Sequence, residues 1–261
     1  MRVPQVVAIT RAVSPALADC ELTCQPRVPI DVGLARAQHH AYEQALAAAG
    51  CRVEQLEADE TMPDSVFVED LAVIFDEMAI LTRPGAGSRR PEMPAIAAAL
   101  APYRPLQAIQ PPATIDGGDV LVAGRHVFVG GSTRTNGEAA AQMRQLLEPL
   151  GYTVIHTDVR GCLHLKSAVT ALDERRLLVN PSWVDAAAFA GFTLVAVAPD
   201  EPSAANALRL ADRIVMAAAF PRTADRVAAL GLPVERVDAS ELAKAEGAVT
   251  CCSLIVAGVR P

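Results

Sequence analysis

Residues 116–157 of the sequence read DGGDVLVAGRHVFVGGSTRTNGEAAAQMRQLLEPLGYTVIHT, and this stretch decides the fold. Two apolar runs around the polar turn AGR predict a β-hairpin. The run EAAAQMRQLLEPL has helical spacing and ends at Gly151, where a left-handed C-cap is expected. Thr135 with Glu138 fits a capping box at the start of this helix. YTVIHT then predicts another strand, so the unit is strand, strand, helix, strand.

The same unit recurs along the chain. Helical patterns ending at Gly50, Gly191 and Gly231 are each followed by an apolar run, and PEMPAIAAALA is a looser copy. One copy lacks a contiguous hairpin, and the terminal runs VPQVVAIT and TCCSLIV supply its two strands. A repeat of this length predicts a solenoid or a closed array. We therefore expect a single α/β domain over residues 1–261, with a ring of five modules closed by the N- and C-terminal strands.

Each module opens on a polar residue. Asp70, Asp116, His164, Asn206 and Cys251 follow one another at intervals of 46, 48, 42 and 45 residues. If the modules surround one axis, these positions converge, and carboxylates, an imidazole and a thiol meet at the centre.

Composition limits the classes of function and location. The net charge of −7 disfavours a nucleic-acid partner. The longest apolar run, residues 186–198, is too short to span a bilayer, and the first residues do not resemble a signal peptide. We therefore expect a cytoplasmic protein with no membrane association. Its six cysteines are expected to be free, and their spacing does not predict a metal site.

The adjacent cysteines near the C-terminus are expected to differ. Side chains alternate along a strand, so Cys252 should share the apolar face of Leu254 and Val256, which leaves Cys251 as the reactive thiol. A free thiol is mostly protonated at neutral pH and needs a base or a nearby cation. His164 is the candidate base, and Asp116 could orient its imidazole.

Charged residues elsewhere predict a cationic ligand with a carboxylate. Glu69 and Asp70 adjoin an apolar stretch, and a planar guanidinium fits paired carboxylates best. Arg89 and Arg134 lie between hairpins and helices. They could hold a substrate carboxylate or be surface charges, and the sequence leaves both readings open.

Taken together, these motifs resemble the dimethylarginine dimethylaminohydrolases of the guanidine-modifying pentein superfamily. The resemblance rests on MPDSVFVEDLAV, TRPGAGSRR, TIDGGDV, GGSTRTN, LHLKS, ADRIVMAAAFPRTADRVAALG and EGAVTCCSL. ITRAVSPALADCEL, residues 9–22, resembles the N-terminal lid of that family. The family fold is a five-bladed pseudo-symmetric α/β propeller, which agrees with the repeat.

The resemblance implies hydrolysis of Nω-methylated arginine to citrulline and an alkylamine, without a cofactor or a metal. It makes Cys251 the nucleophile of a covalent thiouronium intermediate, His164 the acid/base and Asp116 the third triad member. The implied substrate-binding residues are Leu22, Asp64, Glu69, Asp70, Arg89, Arg134 and Ala245. Glu69 and Asp70 would bind the guanidinium, Asp64 and the two arginines the amino-acid end, and Leu22 and Ala245 would contribute backbone contacts.

Three other functions stay open. Arginine deimination would use the same core residues on unmethylated arginine. Amidinotransferases share the nucleophile but are longer and fit the motifs less well. A non-catalytic pentein would bind a guanidine without reacting. The expected partner is a small guanidine, either methylarginine or arginine, and a homodimer is left open.

Overall fold

The computed structural model describes residues 5–259, which form five three-stranded sheets in a five-module α/β propeller. Residues 1–4 and 260–261 of the predicted domain lie outside the described residues. The strands are β1 (Gln5–Arg11), β2 (Cys51–Leu56), β3 (Ala72–Ile74), β4 (Ala79–Leu81), β5 (Leu106–Ala108), β6 (Val120–Ala123), β7 (His126–Gly131), β8 (Thr153–Asp158), β9 (Val169–Ala171), β10 (Arg176–Val179), β11 (Thr193–Ala196), β12 (Ala207–Leu210), β13 (Arg213–Ala217), β14 (Val234–Val237) and β15 (Leu254–Val259). The helices are α1 (Val32–Ala48), α2 (Met93–Leu100), α3 (Gly137–Leu147), α4 (Leu165–Ala168), α5 (Pro221–Ala228) and α6 (Ser240–Ala243).

Every sheet has the same topology. The middle strand pairs antiparallel with the first strand of its module and parallel with the last. In β3-β4-β5, for example, β4 is antiparallel to β3 and parallel to β5. The parallel step needs a crossover connection, which α1, α2, α3 and α5 supply in four of the modules. The predicted unit of strand, strand, helix, strand is therefore confirmed.

The fourth connection departs from the prediction. The run WVDAAAFAG forms only a short 3₁₀ helix, Ala186–Phe189, between β10 and β11. The Asp185 side chain accepts a hydrogen bond from the Ala187 amide and sets the start of the turn. Gly191 has φ of 96° and ends it. Too few residues lie between these two points for an α-helix to propagate.

The termini close the ring as expected. β1 lies in the middle of its sheet, paired antiparallel with β15 and parallel with β2. Gln5 is the register partner of Val259, although the two residues are nearly a whole chain apart in sequence. The reading of residues 1–261 as a single domain stays a prediction.

The predicted helix ends are confirmed, but one predicted helix start is wrong. Gly50, Gly151 and Gly231 have φ of 88°, 84° and 81°, the left-handed geometry that glycine allows. The N-cap of α3 is Asn136, whose side chain accepts from the Ala139 amide. Thr135 does not form the predicted capping box, because its hydroxyl is directed toward the centre of the ring.

The apolar side chains pack in five clusters between the sheets and their helices. None of the helices within residues 5–259 has the length and apolar character needed to cross a lipid bilayer.

Candidate active site

The five polar residues that open the modules lie in the turns just before the first strand of each sheet. Asp70 lies in the 3₁₀ turn Val68–Leu71, and Asp116 precedes the 3₁₀ turn Gly117–Asp119. His164 is the N-cap residue of α4, and Cys251 lies in a turn before β15. Backbone turns rather than regular strands therefore direct these side chains.

Four of these residues, Asp70, Asp116, His164 and Cys251, line one cavity of about 30 Å³, which has room for one or two water molecules. Of the ten site residues predicted from the sequence, eight line this cavity. They are Cys251, His164, Asp116, Asp64, Asp70, Arg89, Arg134 and Ala245. Hereafter we call it the reaction cavity.

His164 lies between two buried carboxylates. Its Nε2 is 3.3 Å from Asp116 Oδ2, and its Nδ1 is 3.8 Å from Asp70 Oδ1. Burial alone would lower the pKa of His164, but the charges of Asp70, Asp119 and Asp116 outweigh it and raise that pKa to about 9. The ring is therefore an imidazolium at neutral pH and can act first as a proton donor.

A glycine makes this arrangement possible. A Cβ atom on Gly118 would lie 2.5 Å from His164 Nδ1 and 2.8 Å from Asp70 Oδ1. The Gly118 amide donates a hydrogen bond to the same Asp70 oxygen at 3.0 Å. On the other side, the Gly85 amide donates to Asp116 Oδ1 at 2.8 Å. Backbone amides thus fix both carboxylates from short turns.

Cys251 is a neutral thiol before a ligand arrives. Burial raises its pKa well above the usual value, and the negative charges of Glu69 and Asp70 raise it further. Within residues 5–259 no hydrogen bond joins its sulfur to the His164 ring. The thiol and the imidazolium therefore line one cavity as separate groups, and a cationic ligand would favour the thiolate.

The structure overturns the reason given above for distinguishing the two cysteines. β15 begins only at Leu254, so Cys251 and Cys252 lie in the preceding turn, where strand alternation does not apply. The Ser253 hydroxyl is 2.6 Å from the Tyr42 hydroxyl. Cys252 is buried in the core that contains Tyr42, whereas Cys251 is only partly buried against that core and also lines the reaction cavity. The turn, rather than the strand, separates the two thiols.

Asp70 is ionised and already paired. Burial opposes its ionisation, but the charges of His164 and Arg89 outweigh burial and lower its pKa. Arg89 Nη1 donates to Asp70 Oδ2 at 2.6 Å. Arg89 also forms a two-point contact with Glu92, from Nε and Nη2, both at 3.0 Å.

Arg89 is buried and is not a surface charge. Its Nη2 donates to the backbone oxygens of Phe67 and Asp64, at 2.8 and 3.2 Å. With the bonds to Asp70 and Glu92, these contacts use all but one of its five N–H groups. Arg134 is different, because it is half-buried and its hydrogen bond to a side chain is donated to Thr23 Oγ1 at 2.8 Å. Arg134 is therefore freer to meet a ligand carboxylate.

The predicted pair Glu69 and Asp70 is divided between two sides of the ring. Glu69 does not line the reaction cavity but borders another of about 210 Å³. Its carboxylate accepts from Lys166 Nζ at 2.8 Å and from Thr250 Oγ1 at 2.7 Å. Neighbouring residues of the 3₁₀ turn point in different directions, so adjacency in the sequence did not bring both carboxylates to one cavity.

Asp64 and Leu22, both predicted to bind the substrate, lie in different environments. Asp64 accepts from the Glu21 amide at 3.1 Å, and burial raises its pKa to about 6. Leu22 does not line the reaction cavity, whereas its neighbour Glu21 does. Leu22 packs against the apolar core instead. The backbone contact implied for Leu22 stays a prediction.

Sequence reasoning missed Asp119. Its carboxylate is fully buried and accepts from the Leu165 amide at 2.9 Å, from Ser132 Oγ at 2.5 Å and from Thr135 Oγ1 at 2.7 Å. It therefore anchors the residue next to His164 and adds negative charge near the ring. The second aspartate of the DGGD motif was the available signal.

Asp70, Asp116 and His164 place one ligand atom each within 4.8 Å of one another, a spacing that a metal ion could use. The same carboxylates and imidazole are also groups that can exchange protons with a ligand.

Comparison with known proteins places these residues in a family. A family model described as N,N dimethylarginine dimethylhydrolase, eukaryotic, matches residues 28–187. The N(G),N(G)-dimethylarginine dimethylaminohydrolase of Streptomyces coelicolor is 40% identical over 96% of this chain and 97% of its own. The enzyme of that name from Pseudomonas aeruginosa is 38% identical over 86% of this chain and 89% of its own.

Solved structures give the same grouping. A cysteine-to-serine mutant of the Pseudomonas aeruginosa enzyme with citrulline has a TM-score of 0.92 and 35% identity, over 97% of this chain and all of that one. A histidine-to-glycine dimethylarginine dimethylaminohydrolase as an adduct with S-methyl-L-thiocitrulline has a TM-score of 0.91 and 36% identity, over 95% of this chain and 98% of that one. The N-terminal domain of a cyanobacterial arginine dihydrolase is 19% identical, with a TM-score of 0.85 over 97% of both chains, and shares the fold.

Proposed function

This chain belongs to the dimethylarginine dimethylaminohydrolase family, and on that premise we propose that it hydrolyses Nω-methylated arginines to citrulline and methylamine or dimethylamine. The observation that carries the proposal is the meeting of Cys251, His164, Asp116 and Asp70 around one cavity. Relatives in this family have been trapped with citrulline and with a thiocitrulline adduct, which are small molecules of the right chemistry.

The first step is charge pairing. A methylarginine guanidinium is positively charged near neutral pH, and Asp70 offers an ionised carboxylate on the cavity wall. The same positive charge offsets the acidic groups that raise the pKa of Cys251. Substrate binding therefore lowers the pKa of Cys251, the thiol releases its proton to solvent, and the resulting thiolate attacks the guanidinium carbon.

Proton transfer completes the reaction. As the bond from carbon to the methylated nitrogen breaks, the His164 imidazolium donates its proton to the departing amine, and a thiouronium remains on Cys251. The neutral imidazole then removes a proton from water, and the resulting hydroxide attacks the same carbon. As the carbon–sulfur bond breaks, the proton of the added hydroxyl passes to the departing sulfur, which releases citrulline and restores the neutral Cys251 thiol. Asp116, 3.3 Å from His164 Nε2, orients the ring through both steps.

The amino-acid end of the substrate lies toward Asp64 and Arg134. Asp64 carries negative charge above a pH of about 6 and suits the substrate ammonium. Arg134 suits the carboxylate, since its guanidinium is only partly engaged. Arg89, with one N–H free, contributes less directly. The backbone of Ala245 borders the same cavity.

The test is citrulline production from arginine, monomethylarginine and dimethylarginine, measured in parallel with one enzyme preparation. We expect a higher kcat/KM for the methylated substrates than for arginine. A preference for arginine would instead assign deimination, and no turnover of any of them would favour a guanidine-binding protein. A homodimer and a cytoplasmic location stay predictions from the sequence.

A further inference from the structure

A short segment after β1 forms part of the wall of the reaction cavity. We call residues 21–25 the cover segment. Glu21 lines the reaction cavity, and Cys24 and Gln25 line a neighbouring cavity of about 470 Å³. The resemblance to a lid was assigned to residues 9–22, but Ile9, Leu17 and Cys20 are fully buried in the core. The part that covers the cavity therefore lies further along the chain.

One side chain binds the backbone of the cover segment at three consecutive positions. Glu246 Oε2 accepts from the Thr23 amide at 2.9 Å, and Glu246 Oε1 accepts from the Cys24 and Gln25 amides at 2.5 and 2.6 Å. Hydrogen bonds to an ionised acceptor are stronger than neutral ones. The segment also forms three single hydrogen bonds, donated by the Glu21 amide to Asp64, by Ser88 to Glu21 and by Arg134 to Thr23.

The backbone of Glu246 is held in an unusual conformation. Its φ of 59° lies in the left-handed region, which a side chain other than glycine seldom adopts. Its neighbour Gly247 is packed against Phe67, where an added Cβ atom would lie 2.1 Å from the ring. Packing on one side thus fixes the direction in which the Glu246 carboxylate points.

Glu246 also lies close to the nucleophile in the chain and lines both cavities. The turn that carries its carboxylate leads within five residues to Cys251. Glu21 of the cover segment and Glu246 thus line the same reaction cavity.

We propose that Glu246 is a latch, a positioning residue whose carboxylate holds the cover segment closed over the bound substrate. The three amide bonds break when the cavity opens and form again when it closes. Closure shields the cavity from bulk solvent and keeps Arg134 near the amino-acid end of the substrate through Thr23. The kinetic part of this inference rests on the proposed function, whereas the structural part does not.

The experiment measures amide hydrogen exchange of the cover segment in the ligand-free protein. Glu246→Gly keeps the left-handed backbone without strain and removes the whole side chain with its carboxylate. Glu246→Gln replaces one acceptor oxygen by a donor that faces the amides. In both variants we expect exchange of the Thr23, Cys24 and Gln25 amides to accelerate roughly tenfold or more. Because the latch stabilises the substrate complex, KM for methylarginine should rise by about the same factor, with a smaller change in kcat.

The matched control is Glu241→Gln. This carboxylate lies in α6 and accepts from the Asp31 amide at 2.8 Å, outside the cover segment. It should leave exchange of residues 21–25 and KM unchanged. Unchanged exchange in Glu246→Gly, an equal effect in the control, or faster exchange with unaltered KM would each overturn the latch. If even the wild-type protein does not turn over methylarginine, the proposed function fails, and the exchange data alone decide whether Glu246 holds the segment.

Discussion

The guanidinium of Arg89 lies 2.6 Å from the carboxylate of Asp70, the side chain that we expect to bind the guanidinium of the substrate. Both side chains are almost fully buried. The charges of His164 and Arg89 lower the pKa of Asp70 and keep it ionised before any substrate arrives. The site therefore meets its ligand with negative charge already in place.

The first prediction separates the two arginines by their effect on stability. Arg89→Met removes the partner of two buried carboxylates, Asp70 and Glu92, and should lower the free energy of unfolding by about 3–5 kcal/mol. Arg134→Met removes a half-buried side chain and should cost less than about 1 kcal/mol. Urea denaturation of both variants measures this. Equal losses would contradict the structural role of Arg89.

The second prediction concerns recognition of the substrate carboxylate. If Arg134 binds it, the wild-type enzyme should turn over methylarginine far better than methylagmatine, which lacks the carboxylate. Arg134→Met should reduce the ratio of the two kcat/KM values by roughly tenfold or more, because only the carboxylated substrate loses a contact. The measurement is kcat/KM for both compounds in both proteins. A gap that Arg134→Met leaves intact would assign carboxylate binding to another residue.

The third prediction distinguishes the two thiols. Cys251→Ser should abolish turnover. Cys252→Ser should keep most of it, because this thiol is buried in the core and donates to the Ala248 oxygen at 3.5 Å. Burying a hydroxyl there should cost about 1–3 kcal/mol of stability. Citrulline assays and thermal denaturation report the two effects. An inactive but folded Cys252→Ser protein would show that the nucleophile is misassigned.

The fourth prediction follows from the pKa of His164. This pKa is about 9 in the folded protein, above the ordinary value of 6.5. The folded state therefore binds the proton more tightly than the unfolded chain. This stabilisation is fully present below pH 6.5 and is lost as the pH rises through 9, a change of about 3 kcal/mol.

The comparison variant for the fourth prediction is His164→Asn, which has nothing to titrate at this position. The difference in unfolding free energy between the wild type and the variant should shrink between pH 6.5 and 9. Cysteine ionisation contributes equally to both proteins and cancels. A difference that does not change with pH would place the His164 pKa near its ordinary value.

The sequence predicts the modules because their signals are local. Hydrophobic period, polar turns and the glycines at helix ends each act over a few residues, and the left-handed φ of Gly151 is an example. The convergence of Asp70, Asp116, His164 and Cys251 followed from their spacing once a ring was assumed.

Other features had no local signal. Glu69 and Asp70 border different cavities, and Cys252 is buried in the core, because of turns that precede the strands. In a turn, the alternation of side chains along a strand does not predict which way a residue points. The contact of Glu246 with the Cys24 amide joins residues 222 apart in the sequence. Only the closed ring brings these two residues together, so no local sequence pattern predicts the contact.

Closure of the ring by β1 and β15 has a consequence for biosynthesis. A ribosome releases Gln5 about 250 residues before its partner Val259. At ordinary elongation rates β1 waits roughly 12 to 50 seconds with one edge unpaired, which leaves that edge open to pairing with other chains. Cys251 lies just before β15, so the docking of β15 closes the ring and positions the nucleophile at the same time. A partly synthesised chain is therefore inert, and activity begins only when the last strand docks.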